Sequence, residues 1–184
     1  FIGGCVRNTL LKIKITDIDF AVKCSPNKTM SILKNSKIKF LNYGLSHGTV
    51  TAILNKKKYE ITSLRKDIIT DGRHAKVKFT KSWKSDASRR DFTFNAISIS
   101  AKGNIFDYFN GIKDLKQKKI RFIGNPIDRI KEDYLRIIRF NRFLNLFDNP
   151  NTNKTDIQLM RKYKSEINKI SKERILSEIN KILI

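Results

Sequence analysis

A chain of 184 residues can hold one substantial core or two small domains, and its 40% apolar content fits a folded protein. No apolar run approaches the ~20 residues that span a bilayer, and no secretory pattern opens the sequence, which argues against membrane-spanning and exported classes. Thirty-nine Lys and Arg against seventeen Asp and Glu leave a net charge of +22. Compositional bias towards Lys, Asn and Ile contributes, but so large an excess favours a nucleic-acid partner, because each neutralised phosphate releases condensed counterions. Cys5 and Cys24 share no motif and no metal-ligand spacing, and two isolated thiols point to the reducing cytoplasm.

The chain opens on Phe1-Ile2, which reads as the end of a strand running into Gly3-Gly4, so an N-terminal element is expected to be missing. The diglycine turn lets backbone N–H groups approach a triphosphate, and a helix start at Cys5–Leu11 adds its own N–H groups. Arg7 would sit in the first turn of that helix as a phosphate clamp. In a strand over Asp17–Val22, side chains at i and i+2 share a face. Asp17 and Asp19 would then present two carboxylates side by side, with Ile18 and Phe20 buried opposite. Such a pair suits Mg2+, a hard cation that shares carboxylate oxygens with substrate phosphates. Singly, Gly-Gly is most often a plain turn and Asp-x-Asp is solvated or capping chemistry; their order and spacing together carry the meaning.

A helix is expected over Pro26–Lys34, then strands Thr49–Leu54 and Tyr59–Leu64 joined by the polar link Asn55-Lys56-Lys57. Glu60 shares a strand face with Thr62 and Leu64. It is either a third catalytic carboxylate or a solvent-facing residue of an edge strand, and Asp91 competes for the same role. The stretch Asp67–Ser82 is polar, contains Gly72 and lacks periodicity, so it reads as a mobile loop. A helix over Trp83–Ser88 leads to Arg89-Arg90-Asp91 and an alternating strand, Phe92–Ser98. That entrance is either a weak surface salt bridge or a nucleotide site, with one arginine on ribose or phosphate and Asp91 holding it. Asn95 would bond neighbouring backbone. A strand over Ile105–Tyr108 ends the α/β part.

After Gly124-Asn125-Pro126 the pattern is helical only. Pro126 suits a first turn, helical spacing runs to Phe147, and Asp148-Asn149-Pro150-Asn151 breaks it. Helices Asp156–Ile170 and Ser171–Ile184 follow, with Ser171 as N-cap. The last is rich in Ile and Leu and is expected to need a further partner. His47 and His74 read as structural or loop residues, and Trp83 as a packing anchor.

Within this part, Asp133 and Arg136 lie three apart on one helical face. They form either an ordinary intrahelical ion pair or a base-reading pair. Cytosine and adenine each place an exocyclic amine beside a ring-nitrogen acceptor, so an aspartate accepts from the first while an arginine donates to the second. Uracil and guanine reverse that polarity.

Gly3-Gly4-x-x-Arg7, Asp17-x-Asp19, Asp71-Gly72-Arg73, Arg89-Arg90-Asp91-Phe92-Thr93-x-Asn95-Ala96 and Glu132-Asp133-x-x-Arg136 occur in order along nearly the whole chain. Together they resemble the class II tRNA nucleotidyltransferases (CCA-adding enzymes) and the similar bacterial poly(A) polymerases, of the polymerase-beta-like nucleotidyltransferase superfamily. The resemblance implies an α+β fold: a palm-like catalytic head of mixed sheet and flanking helices over residues 1–122, then a helical neck over 123–184. It implies Mg2+ at Asp17 and Asp19, with Gly3, Gly4 and Arg7 near the triphosphate. Arg90, with Arg89, would contact the nucleotide sugar. Asp133 and Arg136 would form an amino-acid template for C and A, supported by Arg139 and Arg142. Asp71, Gly72 and Arg73 would be the flexible element that switches the template.

Two departures stand out. The family usually has aspartate where this chain has Asn8, and the body and tail that grip tRNA would lie beyond Ile184; a separate chain is one way to supply them. The implied activity is addition of CMP and AMP from CTP and ATP to a tRNA 3′ end. The competing readings are a poly(A) polymerase and a catalytically impaired RNA-binding fragment of a split gene.

Overall fold

The computed structural model describes residues 1–70 and 75–182. Helix α1 (Gly4–Leu10) precedes a four-stranded mixed sheet of β1 (Asp19–Val22), β2 (Lys39–Leu41), β3 (Thr49–Leu54) and β4 (Lys57–Ser63). The spatial order is β1-β4-β3-β2, with β1 and β4 parallel and the other pairs antiparallel. Helix α2 (Pro26–Asn35) makes the crossover into this sheet. Ser25 caps it by accepting from Lys28 N at 3.3 Å, and Pro26 occupies its first turn. Asn55 and Lys56 both take positive φ, 49° and 63°, the backbone of a tight two-residue hairpin between β3 and β4.

Three expectations are corrected here. The stretch from Asp67 to Ser82 is not a loop throughout: β5 (Arg65–Thr70) and β6 (Ala75–Phe79) pair antiparallel, and Ser82 caps helix α3 (Trp83–Ser88). A register shift between Asp67 and Ile69 breaks the alternation that a strand normally shows. The expected switching element Asp71-Gly72-Arg73 lies outside the described residues, as does His74.

Phe92–Ser98 is not one strand either. Thr93–Asn95 forms a 3-10 turn, and only Ser98–Ile99 pairs, as β7, with β8 (Ile105–Phe106). Phe92, Thr93 and Phe94 are all fully buried, so no face alternates towards water. Asp91 Oδ1 accepts from Phe92 N and Asn95 Nδ2 and curls the chain.

The third correction concerns the helical part. Helix α4 (Gly111–Lys116) precedes it, and the expected single helix to Phe147 is two, α5 (Pro126–Glu132) and α6 (Leu135–Leu146). Asp133 between them is extended, with φ −158°, and its Oδ1 accepts from Leu135 N at 3.1 Å. Helix α7 (Lys154–Lys162) continues as a 3-10 segment over Lys164–Lys169, and α8 is Lys172–Asn180. Ser171 holds the N-cap position of α8 without a side-chain cap bond.

The largest core cluster runs from α1 through the Phe92–Phe94 turn to α6 and α7. Phe140 of α6 lies 6.0 Å from the Phe122 ring and 6.3 Å from Phe92, and Phe143 lies 4.8 Å from Phe94. Aromatic packing therefore bonds the helical part to the sheet-bearing part. Phe140→Ala should cost about 3–5 kcal/mol, read as a lower urea midpoint at unchanged slope; a midpoint like the wild type's would show that this contact carries little.

Candidate active site

A cleft of about 1000 Å³ opens between the N-terminal turn, β1, the Arg89–Asp91 segment after α3, and helices α6 and α8. Its lining gathers residues far apart in sequence: Gly3, Gly4, Arg7, Asp17, Asp19, Arg89, Arg90, Asp91, Asn95, Asp133, Arg136, Arg139 and Arg142. Gly3 is the pivot. Its φ is 71°, and a Cβ there would lie 3.1 Å from Arg90 Nη1 and 3.9 Å from Asp19 Oδ2. The backbone conformation, φ 71° with ψ −131°, favours glycine, and any Cβ would press on the Arg90 guanidinium.

Asp19 opens β1, so Asp17 lies outside the strand that the sequence suggested for both acids; Asp17 is exposed and Asp19 half-buried. Ile18 and Phe20 are half-buried and not fully covered. Phe20 packs 5.0 Å from the Phe1 ring and 6.2 Å from Tyr59. Asp19 is in parallel register with Glu60 on β4. Burial, opposed by Arg90 and reinforced by Asp17, pushes the Asp19 carboxyl above its ordinary value. Burial with repulsion from Asp19 and Asp17 raises Glu60. Glu60 is outside the cleft lining, and among the described residues no three His, Cys, Asp or Glu groups converge as a ligand set. Arg90 and Lys181 act on Asp19 from nearby, but among the described residues neither Asp17 nor Asp19 forms an ion pair, and two such carboxylates fit a hard divalent cation that draws its remaining ligands from water and phosphate.

The basic wall is built by buried acids. Asp86 accepts from Arg89 Nε at 3.1 Å, Arg90 Nη2 at 3.3 Å and the backbone N of Arg65 at 3.1 Å. Asp86, and not Asp91 as the sequence suggested, therefore holds the arginine pair. The two guanidinium groups outweigh the cost of its burial and hold its carboxyl below the ordinary range. Asp91 instead engages Arg139 Nη1 at 3.2 Å from α6, which removes it from contention as a free third carboxylate. Asn95 bonds side chains more than backbone: its Oδ1 accepts from Arg7 Nη1 at 2.6 Å while its Nδ2 donates to Asp91.

Arg7 also donates to Asn8 Oδ1 through Nε and Nη2, so the amide at position 8 still orients it. Arg7 and Arg142 each stack on Phe143, at 5.0 and 4.7 Å. Burial and then repulsion from Arg142 lower the Arg7 pKa to about 10, which leaves it charged at neutral pH.

Asp133 and Arg136 do not pair with each other. Asp133 Oδ2 accepts from Arg174 at 2.8 Å, and Arg136 Nη1 donates to Glu132 and to the Arg129 carbonyl, each at 2.7 Å. Arg139 and Arg142 both reach Glu178 of α8. Sequence reading missed Asp86, Arg129, Glu132 as a partner, and Glu178; each sits three or four helical positions from an arginine or across from one only after folding. No described helix is long and apolar enough to cross a membrane.

Fold and cleft together define a polymerase-beta-like nucleotidyltransferase head followed by a helical neck. The chain belongs to the poly A polymerase head domain family, matched over residues 1–121. A second match, described as a probable RNA and SrmB-binding site of polymerase A, covers residues 155–184. The mitochondrial CCA tRNA nucleotidyltransferase 1 of Homo sapiens is 44% identical over 185 residues, covering 99% of this chain and 43% of that protein. The crystal structure of the Bacillus stearothermophilus CCA-adding enzyme in complex with CTP aligns with a TM-score of 0.84 at 34% identity, over 100% of this chain and 43% of that one. A tRNA nucleotidyltransferase complexed with a primer tRNA and an incoming ATP analog aligns at 0.75 and 28% identity, over 97% and 51%. The chain thus spans under half the length of the curated relative.

The raised Asp19 pKa sets a testable sign. A carboxyl raised by folding favours the protonated native state, so its contribution is full below the ordinary value of 3.8 and is lost as pH rises through the raised value. Asp19→Asn should therefore melt higher than wild type at pH 7 without divalent metal, with the gain vanishing below about pH 4. A lower melting temperature at pH 7 would contradict this account of the site.

Proposed function

We propose that this chain is the nucleotide-handling part of an enzyme that adds CMP and AMP, from CTP and ATP, to the 3′ end of tRNA without a nucleic-acid template. The observation that carries this reading is the meeting of Asp17 and Asp19 with arginines from both head and neck in one cleft. In this reading residues 1–122 are the catalytic head and residues 123–184 the neck that reads the base. The work is done in the cytoplasm or another reducing compartment, in keeping with two free thiols. The remaining RNA-gripping parts come from more of the same protein or from a separate chain.

The terminal 3′ oxygen of the RNA attacks the α-phosphorus of the nucleotide, and the bond to the β-phosphate oxygen breaks to release pyrophosphate. Asp17 and Asp19 would serve a pair of divalent cations, Mg2+ in this reading: one would lower the pKa of that hydroxyl, and the other would neutralise charge on the triphosphate and the departing pyrophosphate. Glu60, in register with Asp19, adds negative charge that strengthens cation binding. Gly3 and Gly4 keep the backbone N–H groups of the turn accessible to phosphate, and Arg7 meets the triphosphate as a fork. Arg90 and Arg89, held by Asp86, face the sugar, while Arg139 and Arg142 support the nucleotide. Asp91 and Asn95 hold Arg139 and Arg7. Asp71, Gly72 and Arg73 are assigned to the switch between C and A.

Base choice falls to Asp133 and Arg136. Each is steadied by another partner, Arg174 or Glu132, so the two do not neutralise each other and can both address one base edge. A poly(A) polymerase is the second reading, favoured by the description of the matched head family. The two differ in base choice and RNA substrate, not in chemistry.

Extension of a tRNA transcript lacking its last nucleotides, with CTP alone and then ATP alone, separates them. The assay is run on this chain by itself and joined to the C-terminal remainder of a relative that it matches. Incorporation of C and then A is expected; long A tracts without C would favour the second reading, and salt-sensitive RNA binding without incorporation in either form would indicate an inactive module. Asp19→Ala should abolish transfer while the protein stays folded, and full activity would refute the site. Arg136→Ala should reduce discrimination against UTP and GTP on the order of 10- to 100-fold; retained discrimination would remove it from base reading.

A further inference from the structure

Glu178 stands on α8, inside the segment whose family match describes RNA binding, yet its carboxylate lines the nucleotide cleft. Only 2% of it is exposed. Its Oε1 lies 2.7 Å from Arg142 Nη1, and its Oε2 lies 3.3 Å from Arg139 Nε and 3.6 Å from Lys181 Nζ. Arg139 is also gripped from the head by Asp91 at 3.2 Å. One guanidinium is therefore held between an acid of the head and an acid of α8. A buried carboxylate is tolerated only when paired, and here both guanidinium partners are cleft-wall residues. Without it, Arg142 would face the like charges of Arg7 and Arg139 with no acid in contact.

We infer that Glu178 is a positioning residue, fixing the Arg139 and Arg142 forks where they meet the nucleotide and tying their orientation to helix α8. The inference rests on the cleft being the nucleotide site, and its test distinguishes the two claims. In the full natural protein, Glu178→Gln keeps the volume and an acceptor oxygen but removes the charge. Calorimetric CTP binding and steady-state RNA extension are measured on it, on wild type, and on Glu166→Gln, which alters an exposed pair with Lys169. Loss of a charge-assisted contact should raise the Kd and KM for CTP and ATP about tenfold, with the KM for RNA unchanged and Glu166→Gln like wild type.

A merely structural Glu178 would lower kcat through lost folded protein while leaving the nucleotide KM in place, and that result would overturn the inference. So would CTP binding equal to wild type. Should Glu178→Gln fail to fold, Glu178→Asp is scored by the same ratio: one methylene shorter, it cannot reach both forks, so a raised nucleotide KM is again expected and an unchanged one overturns. If wild type neither binds nor incorporates CTP, the reading of the cleft has failed instead.

Discussion

Mutual repulsion of guanidinium groups is the constraint around which this cleft is built. Among its described lining residues are eight arginines and seven carboxylates, so near-balance is available only if each acid is placed between cations. Asp91 and Glu178 of the lining meet that demand, and Asp86 does so from just outside it. Asp86 gathers Arg89 and Arg90, Asp91 takes Arg139, and Glu178 takes Arg139 and Arg142. Arg7 is the exception: its oriented partners are the amides of Asn8 and Asn95, and no described carboxylate forms an ion pair with it. A cation steadied by neutral groups keeps its charge for a ligand, and in the proposed reading Asp17 and Asp19 keep theirs for a metal.

The same contacts couple head to neck. Arg129 of α5 donates to the carbonyls of Arg90 at 2.6 Å and Ser88 at 3.3 Å, while its own carbonyl accepts from Arg136. The arginine assigned to the sugar and the one assigned to the base are thus linked through a single half-buried residue. Beneath them the rings of Phe92, Phe122, Phe140 and Phe143 form one aromatic core. In the proposed reading, base choice by protein side chains needs a fixed distance between the sheet-bearing and helical parts, and tight aromatic packing would provide it.

Much of this was legible locally. The diglycine turn and the β3–β4 hairpin are short-range features set by backbone freedom, and they appear within a few residues of where pattern reading put them; the strand expected over Asp17–Val22 starts only at Asp19 and shows no alternation of burial. The Phe92–Ser98 segment misled because alternation of Phe with Thr, Asn and Ala normally means a strand. Here Asp91 closes a turn and Thr93 is buried with its hydroxyl on Asp114. The β5–β6 hairpin hid behind a register shift. Asp133 looked like a mid-helix residue because apolar spacing runs past it on both sides. Its extended backbone is stabilised by capping α6 and by Arg174, forty-one residues away. Glu178 was unreadable for the same reason: nothing in a helix of mixed polarity says which acid will meet arginines from another.

The central claim is that Asp17 and Asp19 hold a divalent ion at the arginine-lined end of this cleft. Electron paramagnetic resonance of Mn2+, titrated into the protein with and without CTP, tests it without relying on turnover. The account predicts a bound ion whose affinity rises when CTP is present and which is lost when both aspartates are replaced by asparagine. Mn2+ binding that survives that double replacement, or that ignores CTP, would contradict it.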